Sequence, residues 1–292
     1  MTKQFNKGLI LTSLGSFWWG FIGVIYFEIV SFIGHIELVV HRCLWTAVML
    51  ILTTSIFSKW KSFFDICKNK KNLIGLFFSG LLIFINWSIW IYAVATDRII
   101  DASFGYFIMP IISVLLGYVF FKEDLNNKKI FSISLVFISI IILIFFNLKN
   151  LPWVGLIVAF SWAFYNLVRK KINVDTDVGL LIESLYILPF ALIVFYFITK
   201  SGMNDFSFSN PGLSFFLILA GPMTVIPLFL YVRGVELIGL GPTGMIFYIT
   251  PTLQFLLGFF YYGESFSSIK FVSFIIIWIA VIIYLKDLYE KN

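Results

Sequence analysis

Ten apolar runs follow one another through almost the whole chain, at 8–27, 36–57, 73–95, 102–121, 130–147, 152–169, 178–199, 212–232, 242–262 and 270–286. A helix rising about 1.5 Å per residue needs about 20 such residues to cross the hydrocarbon of a bilayer. Only helices and closed barrels satisfy their backbone groups in lipid, and barrel strands alternate apolar with polar positions. These runs are continuously apolar, which selects helices. Hydrophobic residues are 60% of the chain and charged residues 12%, too few charges to clothe a soluble exterior. The expectation is an all-α integral membrane protein with ten transmembrane helices. The fifth and sixth runs are the shortest, joined through Asn150 and Pro152, and Pro152 suits a first helical turn. The first run has no small-residue cleavage site and leads straight on to further spans, so no removable signal peptide is expected.

The runs are not independent. Sliding 101–123 (DASFGYFIMPIISVLLGYVFFKE) by 141 residues onto 242–264 (PTGMIFYITPTLQFLLGFFYYGE) superposes Pro110 on Pro251, Gly117 on Gly258 and Glu123 on Glu264. Leu115-Leu116 falls on Leu256-Leu257, and five further positions exchange one aromatic for another. The shift is close to half of the 292 residues, the pattern of a duplicated membrane bundle. The expected domains are a five-helix repeat over 1–148 and a second over 149–292. Lys and Arg set the orientation. With the N-terminus inside, only Arg98, Lys149, Lys200 and Lys270 fall at outside ends and Arg42 lies within a span; the rest of the 21 Lys and Arg lie inside. Both termini are then cytoplasmic. Five spans per half is an odd number, so the second repeat enters inverted.

Several function classes are excluded or disfavoured. The net charge of +6 is spread between apolar runs rather than gathered into a nucleic-acid patch. Cys43 lies in a span and Cys67 in a Lys-rich loop, which points to neither a disulfide nor a metal site. No G-x-x-x-x-G-K-[ST] motif occurs, so transport would draw on a gradient rather than a nucleotide. His35 and His41 are the only histidines and no His/Asp/Glu cluster appears, so a membrane-embedded enzyme is the weaker alternative, as is a channel or structural protein. No cofactor is expected.

Ionisable groups inside the bilayer are costly and point to function. His41 is the natural proton-sensing candidate, set against a neutral histidine bonded to a backbone carbonyl. Arg42 keeps its charge and needs an anion, either a protein carboxylate (Asp97, Asp101 or Glu37) or one on a substrate. Glu183, at the matching place in the second half, is a proton carrier unless a cation such as Arg233 pairs with it. Near the midplane stand Trp18, Trp19, Asn86, Trp87, Trp90, Tyr106, Tyr165, Asn166, Tyr248, Thr250 and Gln254. The amides Asn86, Asn166 and Gln254 should face the bundle centre, bonding helix to helix or lining a cavity. Pro110 and Pro251 are read as paired hinges, and Gly117 and Gly258 as points of close helix contact. The alternative for the prolines is a static kink.

The chain resembles the RarD branch of the EamA-type permeases, in the drug/metabolite transporter superfamily. The likeness is carried by His41-Arg42 with Trp45, Asn86-Trp87, Ala102-Ser103-Phe104-Gly105-Tyr106-Phe107 with Pro110, and Leu115-Leu116-Gly117 with Glu123. Further on it is carried by Pro152-Trp153, Tyr165 with Arg169-Lys170, Glu183 with Pro189, Ile226-Pro227-Leu228 and the run Tyr248–Phe255. One departure is Asp101 where the family pattern suggests Glu. The resemblance implies two inverted five-helix repeats and a solute permease of the inner membrane, without naming a substrate. The expected partners are a small-molecule solute, membrane lipids and a second copy of the chain in a homodimer, with no nucleic acid.

Overall fold

A computed structural model describes residues 3–95, 99–147, 153–207, 209–261 and 268–291, without the side chains of 91, 94, 95, 99–104, 147, 270 and 291. Among these residues there is no strand. The first span is continuous over Lys3–Ile29 and comprises α1 (Lys3–Phe17), a π-helical turn (Trp18–Ile22) and α2 (Gly23–Ile29). Then come α3 (His35–Ile56), α4 (Trp60–Lys68), α5 (Lys70–Ala95), α6 (Ile99–Phe121) and α7 (Asn127–Asn147). The second half holds α8 (Trp153–Ile172), α9 (Thr176–Lys200), α10 (Pro211–Ile238), α11 (Leu240–Ile246), α12 (Ile249–Phe260) and α13 (Ser268–Lys291). Eight stretches are long and apolar enough to cross a membrane, counting α11 with α12 as Leu240–Phe260, and Gly105–Phe121 is a shorter apolar helix. The remaining long helix, α8, ends on Arg169, Lys170 and Lys171 and is not among the eight.

Two features differ from the sequence reading. The Lys-rich connection after the second span contains a helix, α4, seated by Ile66 against Leu76, Val178 and Ile182. Lys59 and Ser62 tie it to Asp177 and Asp175 of the α9 start, at 2.9 and 3.1 Å. The ninth run, expected whole over 242–262, is broken between Ile246 and Ile249. Pro251 has no N–H to offer the carbonyl of Phe247, and Thr250 N–H donates to it instead at 2.9 Å.

The packing exchanges partners between halves. The first span packs on α10 as α8 packs on α5; α3 packs on α10 as α9 packs on α5; α7 pairs with α13, and α6 with α11. Ser132 donates to the carbonyl of Ala280 and Ser139 to that of Ser273, at 2.5 and 2.9 Å. Adding 141 turns Ser132 into Ser273 and Ser139 into Ala280. Tyr248 donates at 2.7 Å to the carbonyl of Phe107, its own counterpart at a separation of 141. Gly80 meets the backbone of Glu183, and its counterpart Gly221 meets the backbone of Trp45.

Candidate functional site

A cavity of about 320 Å³ lies where the two halves meet, walled by Trp19, Gly23, Phe27, Arg42, Asn86, Trp87, Trp90, Tyr106, Trp162, Phe247, Thr250 and Gln254 among others. It extends from the middle of the bundle to the connection between α2 and α3, where Val30, Ser31, Ile33 and His35 form its rim. The lining follows helical spacing: Trp19, Gly23, Phe27 and Ser31 on the first span and its end, His35, Leu38 and Arg42 on α3, Asn86 and Trp90 on α5, Thr250 and Gln254 on α12.

An aromatic collar forms the inner end. Trp19 lies 5.2 Å from Trp162, Trp90 5.4 Å from Tyr106, Tyr106 5.7 Å from Phe247 and Tyr231 5.5 Å from Phe247, centroid to centroid. Such spacings suit edge-to-face and offset contacts. Trp90 and Tyr231 are counterparts at 141, as are Tyr106 and Phe247. Tyr231 is buried on the far side of the collar, whereas Trp90 faces the cavity.

Arg42 is the charged group of the cavity. Its Nε donates to Thr224 Oγ1 at 2.8 Å, and its Cζ lies 4.5 Å from the Trp87 ring centroid and 5.8 Å from that of Phe27. Among the described residues no carboxylate comes within ion-pair distance of it. Glu37, one of its expected partners, accepts instead from the N–H groups of Asp205 and Phe206, at 2.7 and 3.3 Å. Asp97 and the side chain of Asp101 lie outside the described residues. Asn86 serves both roles open to it: its amide donates to Val158 O and Ser161 Oγ, both at 3.0 Å, and the residue borders the cavity.

Other residues singled out in the sequence fall elsewhere. Trp18 is not in the cavity wall, because the π-helical turn beginning there brings the next residue, Trp19, round to that face. Tyr165 is fully buried and donates to Glu183 at 3.2 Å. Asn166 donates back to Trp162 O of its own helix at 2.9 Å. Tyr248 is consumed at the helix break by Phe107. His41 sits among Phe195, Phe206 and Trp45, away from the cavity. Its Nδ1 accepts from Trp45 at 3.2 Å, and Nε2 stands 3.5 Å from Glu37.

Glu183 lies in a second polar cluster, and its cation is Arg169 at 3.5 Å rather than Arg233. Arg233 turns instead to Glu236, three residues on along the same helix, at 2.7 Å. Arg169 also donates to Thr176 O at 3.1 Å and stands 3.9 Å from Glu236, while Ser79 donates to Glu183. Arg169 and Glu183 are only 1% and 3% exposed at the side chain, so each charge depends on the other. Close by along the chain, Glu123 joins three elements. It accepts from Lys170 Nζ at 2.7 Å and from Leu240 N and Gly241 N at 2.8 and 2.9 Å. A positive φ of 53° at Lys122 turns the chain so that Glu123 N–H closes on Gly117 O, 3.1 Å away. Gly117 and Gly239 are needed there, because a Cβ on either would strike the Glu123 carboxylate. The counterpart Glu264 lies outside the described residues.

The sequence reading missed Phe27, Val30, Ser31, Ile33, His35, Leu38, Trp162 and Phe247 as wall residues. The four-residue stripe from Trp19 through Gly23 and Phe27 to Ser31 was a readable signal for part of them.

The model of the EamA-like transporter family matches twice, over residues 6–145 and 152–286. The chain is 33% identical to Protein RarD of Escherichia coli (strain K12) over 285 residues, 98% of this chain and 96% of that protein. It is also 33% identical to an uncharacterised transporter of Bacillus subtilis, YojE, over 282 residues, 96% and 93% of the two chains. A crystal structure with 11% sequence identity shares the fold at a TM-score of 0.72, covering 95% of this chain and 96% of its own.

Proposed function

The chain belongs to the EamA-like transporter family, on its RarD-like branch. From that premise we propose that it is a secondary transporter of a small solute, working by alternating access about the central cavity in a bacterial inner membrane. The observation that carries this reading is the placement of the cavity between the halves, with residues of both in one wall. Two matches to one family model, one per half, support a duplicated chain. The bonds and packing that exchange on adding 141 support a two-fold relation between the copies. With an odd number of spans in each copy and both termini cytoplasmic, that relation makes the repeats inverted.

In this orientation the α2–α3 rim faces outward, and the Glu123 and Arg169–Glu183 clusters close the cytoplasmic end. The conformation is outward-facing. In the opposite state the halves exchange shapes, Tyr231 takes the place of Trp90 in a cytoplasmic cavity, and the two clusters open. Arg42, Trp19, Asn86, Trp87, Trp90, Tyr106, Thr250 and Gln254 contact solute. Proton coupling, where it occurs, rests on Glu183, which can trade Arg169 for a proton as its cluster opens. His41 has a structural role.

The test is solute counterflow and uptake in proteoliposomes, with and without a pH gradient, combined with side-specific tags on both termini. Arg42→Ala should abolish uptake while the purified protein stays monodisperse, and His41→Gln should leave the pH profile unchanged. Termini on opposite sides of the membrane would overturn the inverted arrangement.

A further inference from the structure

We infer that the solute is an organic anion of metabolite size, with one carboxylate on a flat apolar or aromatic body. This rests on the transporter reading above and adds the chemistry of the cargo. Arg42 is permanently charged and is held by its Nε, which Thr224 engages, and by one face, which lies over Trp87. Nothing among the described residues supplies it with a counter-charge. A guanidinium fixed at Nε and stacked on one face presents its two terminal nitrogens as a preformed fork, which matches the two oxygens of a carboxylate. In the other half the buried Arg169 does have a carboxylate partner, Glu183. Among the described residues Arg42 therefore lacks the carboxylate that Arg169 has, and an anionic solute completes it.

The rest of the wall describes the rest of the molecule. Trp19, Trp90, Tyr106, Trp162 and Phe247 give the inner end flat apolar faces, which stack on a planar body at little cost in conformational freedom. Thr250 spends its hydroxyl on Ser16 O at 2.9 Å, and Asn86 spends its amide nitrogen on α8. Away from Arg42 the polar side chains left in the wall are Ser31, His35, Tyr106 and Gln254. A cavity of about 320 Å³ is at the small end of the roughly 300–1,000 Å³ usual for ligand sites, which admits one ring with a short acid side chain.

The experiment places a single cysteine at Gln254 in the full chain, with Cys43 and Cys67 replaced by Ala and Ser. It then follows labelling of the Gln254→Cys variant by a membrane-impermeant thiol reagent, applied from each side of oriented vesicles. Alternating access requires labelling from both sides; labelling from one side only would overturn the transporter reading itself. The cargo inference is read from protection by four probes of one shape: 3-phenylpropanoate, 3-phenylpropan-1-ol, 3-phenylpropylamine and phenylalanine. The expected result is protection by 3-phenylpropanoate at a concentration roughly tenfold or more below that of the alcohol, as the loss of one charged pairing implies. The amine should not protect. Two-sided labelling with equal protection by acid and alcohol, or with none by the acid, overturns the anion inference and leaves the transporter reading standing. Stronger protection by phenylalanine than by 3-phenylpropanoate also overturns it, since the cargo would then be a zwitterion. Arg42→Gln should erase the preference for the acid. Should that variant fail to fold, Thr224→Val, which removes the Nε anchor along with the hydroxyl's own bond to Ala220 O, should weaken protection by the acid without changing that by the alcohol.

Discussion

Two arginines inside the bundle, Arg42 on α3 and Arg169 on α8, are held in opposite ways, and that difference is measurable. Arg169 is enclosed with Glu183 and Glu236; Glu236 keeps Arg233, but Arg169→Met strands the buried Glu183 carboxylate and should cost about 3–5 kcal/mol. Arg42 borders a cavity and holds one neutral hydroxyl, so Arg42→Gln should stay within about 1 kcal/mol of the parent. Thermal unfolding of the purified proteins checks this, and equal losses would refute the assignment of one arginine to structure and the other to solute. Arg42 could be read from the sequence because a lone charge in an apolar run has few explanations. Arg169 could not: beside Lys170 and Lys171 it looked like one more cytoplasmic topology charge. Only the fold shows it turned inward against α9. His41 failed in the other direction. Its residue type suggested titration, but Trp45, one helical turn on, occupies its Nδ1.

At the scale of elements, the two matched prolines have unequal effects. Pro110 lies within an unbroken α6, whereas the helix that holds Pro251 is interrupted just before it. A hinge continuous in one repeat and interrupted in the other fits the proposed exchange of shapes between halves. Pro251→Ala would restore an N–H for Phe247 O, and the helix should then run straighter. Counterflow should slow severalfold while the affinity for 3-phenylpropanoate at the Arg42 cavity is kept; unchanged counterflow would leave the break as a static kink. Gly244 packs against the other hinge, where an added Cβ would lie 2.9 Å from Ser113 Cβ and 3.2 Å from the backbone of Pro110. Gly244→Val should therefore cost about 1–3 kcal/mol through overpacking, seen as a lower unfolding temperature. The prolines were legible in the sequence; the break upstream of one of them was not, nor was the π-helical turn that exchanged Trp19 for Trp18. The two irregularities lie against each other, close enough that an added Cβ at Gly20 would come within 2.9 Å of Thr250 O.

For the whole molecule, the duplication was written in the sequence as a fixed offset of 141, and the same offset recurs in the Ser132, Ser139 and Tyr248 hydrogen bonds. On the proposed alternating-access cycle one sequence must serve both states, so which end stands open could not be written there. On that cycle the balance is set by contacts made in only one state, and Glu123 is the proposed one most easily removed. Its carboxylate binds the end of α6 to Lys170 of α8 and to the first N–H groups of α11, where the helix dipole favours negative charge. Hydrogen bonds to charged groups contribute about 1.5–3 kcal/mol each. Glu123→Gln abolishes the charge, weakens all three contacts and touches nothing in the cavity. Since about 1.4 kcal/mol changes a population ratio tenfold, the closed cytoplasmic end should open in a substantially larger fraction of molecules. Cysteine at Gln254 should then label faster from the side that carries the termini and slower from the other, with the cavity's affinity for 3-phenylpropanoate in the outward state unaltered. Equal rates in the parent and in Glu123→Gln would mean that the joint is a passive helix cap, and that the closed end is held by the Arg169–Glu183 cluster alone.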